Sequence, residues 1–216
     1  MDGIDLGSAS VFFDFDGTIS LADTGMHLLD RLTGDAWHDI ELLYTSGQIG
    51  SRECILRQWD LLPTHDGDVL RSVVAEVPID PGFAPLVARL VDAGAEVTIV
   101  SDGFGFAASD AAESVGVPVR TATVDWTTGE LTFPYDDPSC PCARCGTCKQ
   151  STLRRAAADG RMTIFVGDGT SDRMAAPLAD ILFATGALAR WCDAHDLTYR
   201  PFSSLRDVAV DLGLPA

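Results

Sequence analysis

Three short clusters of aspartate, glycine and hydroxyl residues carry the strongest chemical signal in the chain. They are Asp14-Phe15-Asp16-Gly17-Thr18, Ser101-Asp102-Gly103 and Gly167-Asp168-Gly169-Thr170-Ser171-Asp172. Taken singly each has an ordinary explanation, since Asp-Gly is a common turn and Asp a common helix cap. Taken together they offer carboxylates, hydroxyls and backbone N–H groups that glycine leaves open to an anion. Asp14, Asp16, Asp168 and Asp172 gathered in one place would repel one another unless a cation sat among them. Oxygen ligands of this kind suit a hard cation, and Mg²⁺ is held by one or two carboxylates together with water and phosphate oxygens. Lys149 is the one lysine in the chain, beside 14 arginines. A compact ammonium there could reach a phosphate and a carboxylate at once.

Each cluster follows an apolar run short enough to be a buried strand. Residues 10–15 read Ser-Val-Phe-Phe-Asp-Phe, residues 95–100 Ala-Glu-Val-Thr-Ile-Val, and residues 162–166 Met-Thr-Ile-Phe-Val. Residues 180–184 read as a fourth strand. Helical patterns occupy 82–93, 104–115, 149–158 and 171–178. Alternation of strands and helices implies an α/β chain with a parallel sheet covered on both faces. Ligands bind such sheets at the carboxyl ends of the strands, which is where all three clusters would meet. The stretch 20–79 breaks the rhythm, with amphipathic helical patterns at 22–33, 35–46, 51–60 and 67–76 and no convincing strand. It reads as a helical insert, leaving 1–19 and 80–216 as the core. Thr127-Thr128-Gly129 separates two β-prone runs within 121–135, the pattern of a hairpin.

The net charge of −17 excludes most polyanion binders, because a nucleic-acid backbone or an anionic membrane surface needs a basic face. The expected partner is a small phosphorylated metabolite captured by local groups, not nucleic acid or membrane. No run of 18 apolar residues occurs and the first residues lack a basic, then apolar, leader pattern, so a cytoplasmic protein is expected, as a monomer or homodimer.

The motifs, in this order and at these positions, resemble the haloacid dehalogenase superfamily of aspartate-nucleophile phosphatases. Motif one is Asp14 to Thr18, motif two Ser101, motif three Lys149, and motif four Gly167 to Asp172. The resemblance implies a Rossmann-like three-layer core with a small all-α cap inserted after the first strand. It implies that Asp14 attacks phosphorus, and that Asp16 protonates the leaving oxygen and later activates water. It implies that Mg²⁺ lies on Asp14, Asp168 and the carbonyl of Asp16, with Asp172 supporting it. Gly17, Thr18, Ser101, Asp102, Gly103 and Lys149 would surround the phosphate. The presence of Asp16 fits a leaving group that needs a proton. A non-catalytic binding module on the same fold would have a broken motif set, and a phosphotransferase would pass the phosphate to a product.

Within the superfamily the chain most resembles the phosphoserine-phosphatase branch. Gly47-Gln48-Ile49-Gly50-Ser51-Arg52-Glu53 and the cysteines before Lys149 are similar to features of the methionine-salvage 2-hydroxy-3-keto-5-methylthiopentenyl-1-phosphate phosphatases. The cysteines also resemble those of the phosphoethanolamine/phosphocholine phosphatases. The branch's acidic residue after motif one is a Glu; here Asp23 is the available substitute. Arg52 either grips a distal part of the substrate or is an exposed helix residue. Cys140, Cys142, Cys145 and Cys148 form a C-x-C-x₂-C-x₂-C run that could hold a structural Zn²⁺, form disulfides or stay as thiols.

Overall fold

The computed structural model describes residues 4–140 and 144–215. Strand β1 (Ala9–Phe13) is buried along its whole length. Successive side chains of a strand point to opposite faces, so Val11 and Phe13 enter one apolar cluster and Phe12 another. Four helices follow: α1 (Thr24–Thr33), α2 (His38–Thr45), α3 (Ser51–Asp60) and α4 (Gly67–Val74). The chain then runs through α5 (Phe83–Asp92), β2 (Glu96–Val100), α6 (Phe106–Val115) and β3 (Val119–Arg120). A hairpin of β4 (Thr123–Asp125) and β5 (Glu130–Thr132) leads to α7 (Lys149–Ala158) and β6 (Met162–Gly167). Strand β7 (Ile181–Ala184), α8 (Gly186–Ala194), β8 (Arg200–Pro201) and α9 (Leu205–Asp211) complete it.

Six strands form one sheet in the order β3-β2-β1-β6-β7-β8, with every pairing parallel. From β1 the chain builds outward through β2 and β3, then returns to the other side of β1 with β6. The order therefore reverses between β1 and β6, and a crevice opens beyond their carboxyl ends. Val11 sits opposite Val97 on one side and Ile164 on the other, which levels the ends of the three central strands.

Helices cover both faces. Phe83, Leu86, Val87 and Leu90 recur at helical spacing in α5 and pack with Phe13, Ile99, Ile164 and the Leu205 and Val208 of α9. On the opposite face Leu153, Leu188 and Cys192 pack on Phe12, Phe165 and Leu182. Each such large side chain contributes roughly 1.5–3 kcal/mol by leaving water. The result is three layers, as the alternation of elements implies.

The chain leaves β1 and comes back to α5 along neighbouring paths. Leu21 N–H donates to the Pro78 carbonyl and Asp80 N–H to the Ile19 carbonyl, each at 2.8 Å. Between these crossings, Leu28, Leu29, Ile55, Trp59 and Leu70 make a separate apolar cluster with Phe104, Phe106 and the hairpin residue Leu131. Phe104 lies just past the end of β2, so the helices sit over the carboxyl end of the sheet. Asp23 and Asp66 start α1 and α4 by accepting from Met26 N–H (2.7 Å) and Asp68 N–H (3.0 Å).

One expected helix is absent. Residues 171–178 hold two single 3₁₀ turns, Thr170–Asp172 and Ala176–Leu178, in place of an α-helix. Pro177 lacks an N–H. The Asp172 carboxylate also folds back to accept from the N–H groups of Asp168 and Gly169, both at 3.0 Å, which tightens the turn.

Candidate active site

The carboxylate of Asp14 stands at the end of β1, 5% exposed, where the strand's last pairing with β6 runs from Asp14 N–H to the Val166 carbonyl. Its Oδ1 accepts from Phe15 N–H at 2.8 Å and lies 2.6 Å from Lys149 Nζ. Lys149, the first residue of α7, is itself 3% exposed. Its ammonium also meets Asp172 Oδ1 at 2.6 Å and Ser171 Oγ at 3.0 Å. All three N–H bonds of the ammonium therefore have acceptors. Burial pulls Lys149 toward the neutral form, but Asp14 and Asp172 outweigh it and hold its pKa above the ordinary lysine value. Burial, followed by the charge of Asp172, pushes the Asp14 carboxyl well above the usual carboxylate range, with Lys149 acting against both.

Asp168, just past β6, faces Asp14 across the crevice. Oxygens of Asp14, Asp168 and Asp172 lie within 4.8 Å of one another. Burial and then Asp172 raise Asp168 to about 7. Thr18 Oγ1 donates to it at 3.3 Å. The cluster fits a hard divalent cation: the donors are all oxygens, and one ammonium serves three carboxylates. Asp14 and Asp168 have lone pairs to give, whereas Asp172 spends Oδ1 on Lys149 and Oδ2 on two backbone N–H groups. Asp172 thus braces the turn that carries Asp168.

Asp16 points elsewhere. Its Oδ1 accepts from the backbone N–H (2.8 Å) and hydroxyl (2.6 Å) of Thr24, at the start of α1. Burial raises its pKa, while the Thr24 bonds oppose the rise. A carboxyl of that kind can hold a proton and release it. The glycines between these groups are demanded by space. Gly17 has φ +74°, and a side chain there would clash with the Asp168 carboxylate. At Gly103 a Cβ would press on Asp16 Oδ2 at 3.0 Å and Ser101 Oγ at 3.4 Å, so Ser101 and Asp16 flank the same bare backbone.

Above these residues opens a cavity of about 580 Å³. Asp14, Asp16, Gly17, Gly103 and Asp168 form its floor, and Leu21, Met26, Glu41, Tyr44, Ile55, Gln58 and Phe104 its walls. Leu21 and Met26 are 58% and 37% exposed, apolar surface turned toward the opening. Among the described residues no Arg, Lys or His lines the cavity. Glu41, Tyr44 and Gln58 carry no signal in the sequence, because their roles depend on how α2 and α3 pack. Gln58 Nε2 holds Glu41 Oε2 at 3.1 Å.

The residues expected to contact substrate divide. Asp23 lines the cavity, and its carboxyl rises to about 8, through burial first and then through Asp16. Arg52 turns away to Asp136 (2.6 Å) and over the Phe133 ring, and it is half exposed. Asp102 lines the cavity, but its carboxylate is committed to the Ser51 hydroxyl (2.5 Å) and Thr147 N–H (2.8 Å). With its carboxylate so engaged, a phosphate contact from Asp102 would have to come from its backbone N–H.

The cysteine run gathers no metal-binding set among the described residues. Among the described residues the aspartates above are the one group of three or more candidate ligands that converges, and no disulfide joins Cys140, Cys145 and Cys148. Cys142 lies outside the described residues. Cys148 Sγ instead accepts from Ser151 N–H at 3.5 Å, capping the helix that starts with Lys149.

Comparison with known proteins agrees with this geometry. The 2-hydroxy-3-keto-5-methylthiopentenyl-1-phosphate phosphatase of Bacillus cereus is 26% identical over 215 residues, covering 96% of this chain and 97% of its own. A substrate-bound phosphoserine phosphatase shares the fold with a TM-score of 0.72 at 18% identity, over 94% of this chain and 98% of that one. A phosphoserine phosphatase captured as a phospho-aspartyl intermediate analogue gives a TM-score of 0.71 at 16% identity, over 96% and 99%. The family model for haloacid dehalogenase-like hydrolases matches residues 11–177, most of the chain and all of the clusters above, and the protein belongs to that family.

Proposed function

We propose that the protein is a Mg²⁺-dependent phosphatase that hydrolyses a small phosphomonoester through a phosphorylated Asp14. The observation that carries this reading is the Asp14 carboxylate, buried at the floor of an open cavity and held 2.6 Å from a lysine that is itself buried. Asp14, Asp168 and the Asp16 carbonyl would hold the cation, with Asp172 behind them. When bound, Mg²⁺ would offset the repulsion between the carboxylates and an incoming phosphate.

In the first step Asp14 forms a bond to phosphorus as the bond to the ester oxygen breaks. Asp16 passes its proton to that oxygen. In the second step Asp16 takes a proton from water, which attacks phosphorus and frees Asp14 and inorganic phosphate. Lys149 offsets the charge on Asp14 and the transferring group. Ser101 and the N–H groups around Gly17 and Gly103 hold phosphate oxygens.

The substrate that fits best is the methionine-salvage enol phosphate for which the Bacillus relatives are named. Leu21, Met26, Ile55 and Phe104 supply apolar wall for a thioether chain. Phosphoserine fits less well, since its carboxylate would meet no cationic side chain among the lining residues and would face Asp23 and Glu41. Those same two acids favour a second reading, a cationic amino-alcohol phosphate such as phosphoethanolamine or phosphocholine. A cytoplasmic setting fits the thiols, and among the described residues no helix is long and apolar enough to cross a membrane.

The test is phosphate release from a panel of these esters, with Mg²⁺ or EDTA, by the wild type and Asp14→Asn. Release that depends on the cation and falls on the order of 10⁴-fold or more in the variant is expected. Equal release from Asp14→Asn would refute the mechanism, and the preferred ester decides between the two substrate readings.

A further inference from the structure

The turn between α2 and α3 is stitched to the loop that delivers Lys149. Arg144 donates to the carbonyls of Gly47 (3.2 Å) and Gln48 (2.8 Å), and Arg52 N–H donates to the Arg144 carbonyl (3.2 Å). A side chain at Gly50 would clash with that carbonyl, so the two backbones touch there because the position is glycine, while one at Gly146 would meet the Phe133 ring at 2.6 Å and Asp102 Oδ1 at 3.0 Å. At the centre of the seam is Ser51, the first residue of α3, 7% exposed. Its hydroxyl donates to Asp102 Oδ2 at 2.5 Å and accepts from Gly146 N–H at 3.3 Å. The other oxygen of Asp102 accepts from Thr147 N–H at 2.8 Å. Ser51 and Asp102 therefore tie together three elements: the helices above the cavity, the segment after Ser101, and the backbone two residues before Lys149. Both side chains form part of the cavity wall, yet their polar atoms are spent on each other and on that backbone.

We propose that Ser51, acting through Asp102, is a positioning residue for Lys149: the pair fixes the loop from which the ammonium reaches Asp14, and so couples the seating of the helical segment to the readiness of the nucleophile. The proposal rests on the phosphatase reading of the site. It makes a separable claim, because the hydroxyl belongs to the helical segment and yet acts on the core. A residue that only shaped the substrate cavity would change KM for esters that fill it. A residue that only stabilised the fold would leave kcat of the folded enzyme untouched. The coupling requires a fall in kcat even for a phosphate donor too small to touch the helices.

The experiment compares wild type, Ser51→Ala, Asp102→Asn and the double variant on acetyl phosphate and on the best ester of the panel. Hydrogen exchange of the amides at 144–149 is measured on the same proteins. Ser51→Ala is expected to lower kcat about tenfold on both donors, the fold-change of one hydrogen bond to a charged group, with KM within about twofold. Exchange at 144–149 should rise by a similar factor, and Ser51→Ala should add less than about twofold in the Asp102→Asn background. An unchanged kcat, a KM effect confined to the ester, or unchanged exchange at 144–149 would overturn the proposal. Wild-type inactivity on every donor would instead count against the phosphatase reading, and the exchange measurement would still decide whether Ser51 holds the loop.

Discussion

Lys149→Met tests how the charge balance of the site is kept. Methionine retains most of the stem and removes the ammonium that lies 2.6 Å from both Asp14 and Asp172. Those carboxylates are 5% and 0% exposed, so little water reaches them to replace the lost partner. Removing one side of a buried ion pair costs about 3–5 kcal/mol. For a chain of this size each kcal/mol moves the midpoint by about 2–4 °C, so a fall of about 10 °C is expected in cation-free buffer near pH 7.5. The penalty has a definite pH dependence. Asp14 already binds its proton more tightly in the folded protein than in the unfolded chain, by burial and Asp172, with Lys149 acting against that. Loss of Lys149 strengthens the effect. A folded state that binds more protons gains stability as pH falls, so the gap between variant and wild type should narrow from pH 8 to pH 5. Thermal unfolding followed by circular dichroism across that range is the assay. A variant as stable as the wild type at pH 7.5, or a gap that widens on acidification, would refute the reasoning.

Two further outcomes follow from the same geometry. Because Asp168 titrates at about 7, mainly through burial, Mg²⁺ must compete with a proton there; the rise in midpoint on adding Mg²⁺ should be larger at pH 8 than at pH 6, and equal rises would place the cation elsewhere. Arg52→Ala should leave KM and kcat within about twofold and stability within about 1 kcal/mol, since its partners Asp136 and Phe133 are outside the cavity and half-exposed ion pairs contribute little; a large KM increase would show that it swings inward to substrate.

Much of this architecture was legible in the residues because strand ends announce themselves. An apolar run closing in Asp-Gly is both a buried strand and a turn, and three such runs locate one edge of a parallel sheet. Lys149 stood out by its rarity. Strands β3 and β8 escaped notice because two residues carry no period. The apolar spacing at 171–178 resembles a helix, but the Asp172 carboxylate bonds its own backbone and closes a tighter turn. Asp102 sits beside Ser101 in a cluster expected to bind phosphate, and nothing local shows that its partner is Ser51, 51 residues earlier. Glu41 and Gln58 face the cavity only because two helices cross above it. What the sequence hides is the pairing of side chains from distant segments, which no local pattern encodes.

The seclusion of the single lysine also bears on covalent labelling. In most enzymes acylating reagents scatter over a lysine-rich exterior, whereas here the exterior shown by the described residues is positive through arginine alone, and the one ε-amine is sealed beneath the Asp14 carboxylate. Lysine-directed acetylation or ubiquitin attachment has no foothold there. Reductive methylation with an isotopic label would therefore report exposure of this one side chain: an ε-amine signal would arise only from molecules in which Lys149 becomes accessible to the reagent.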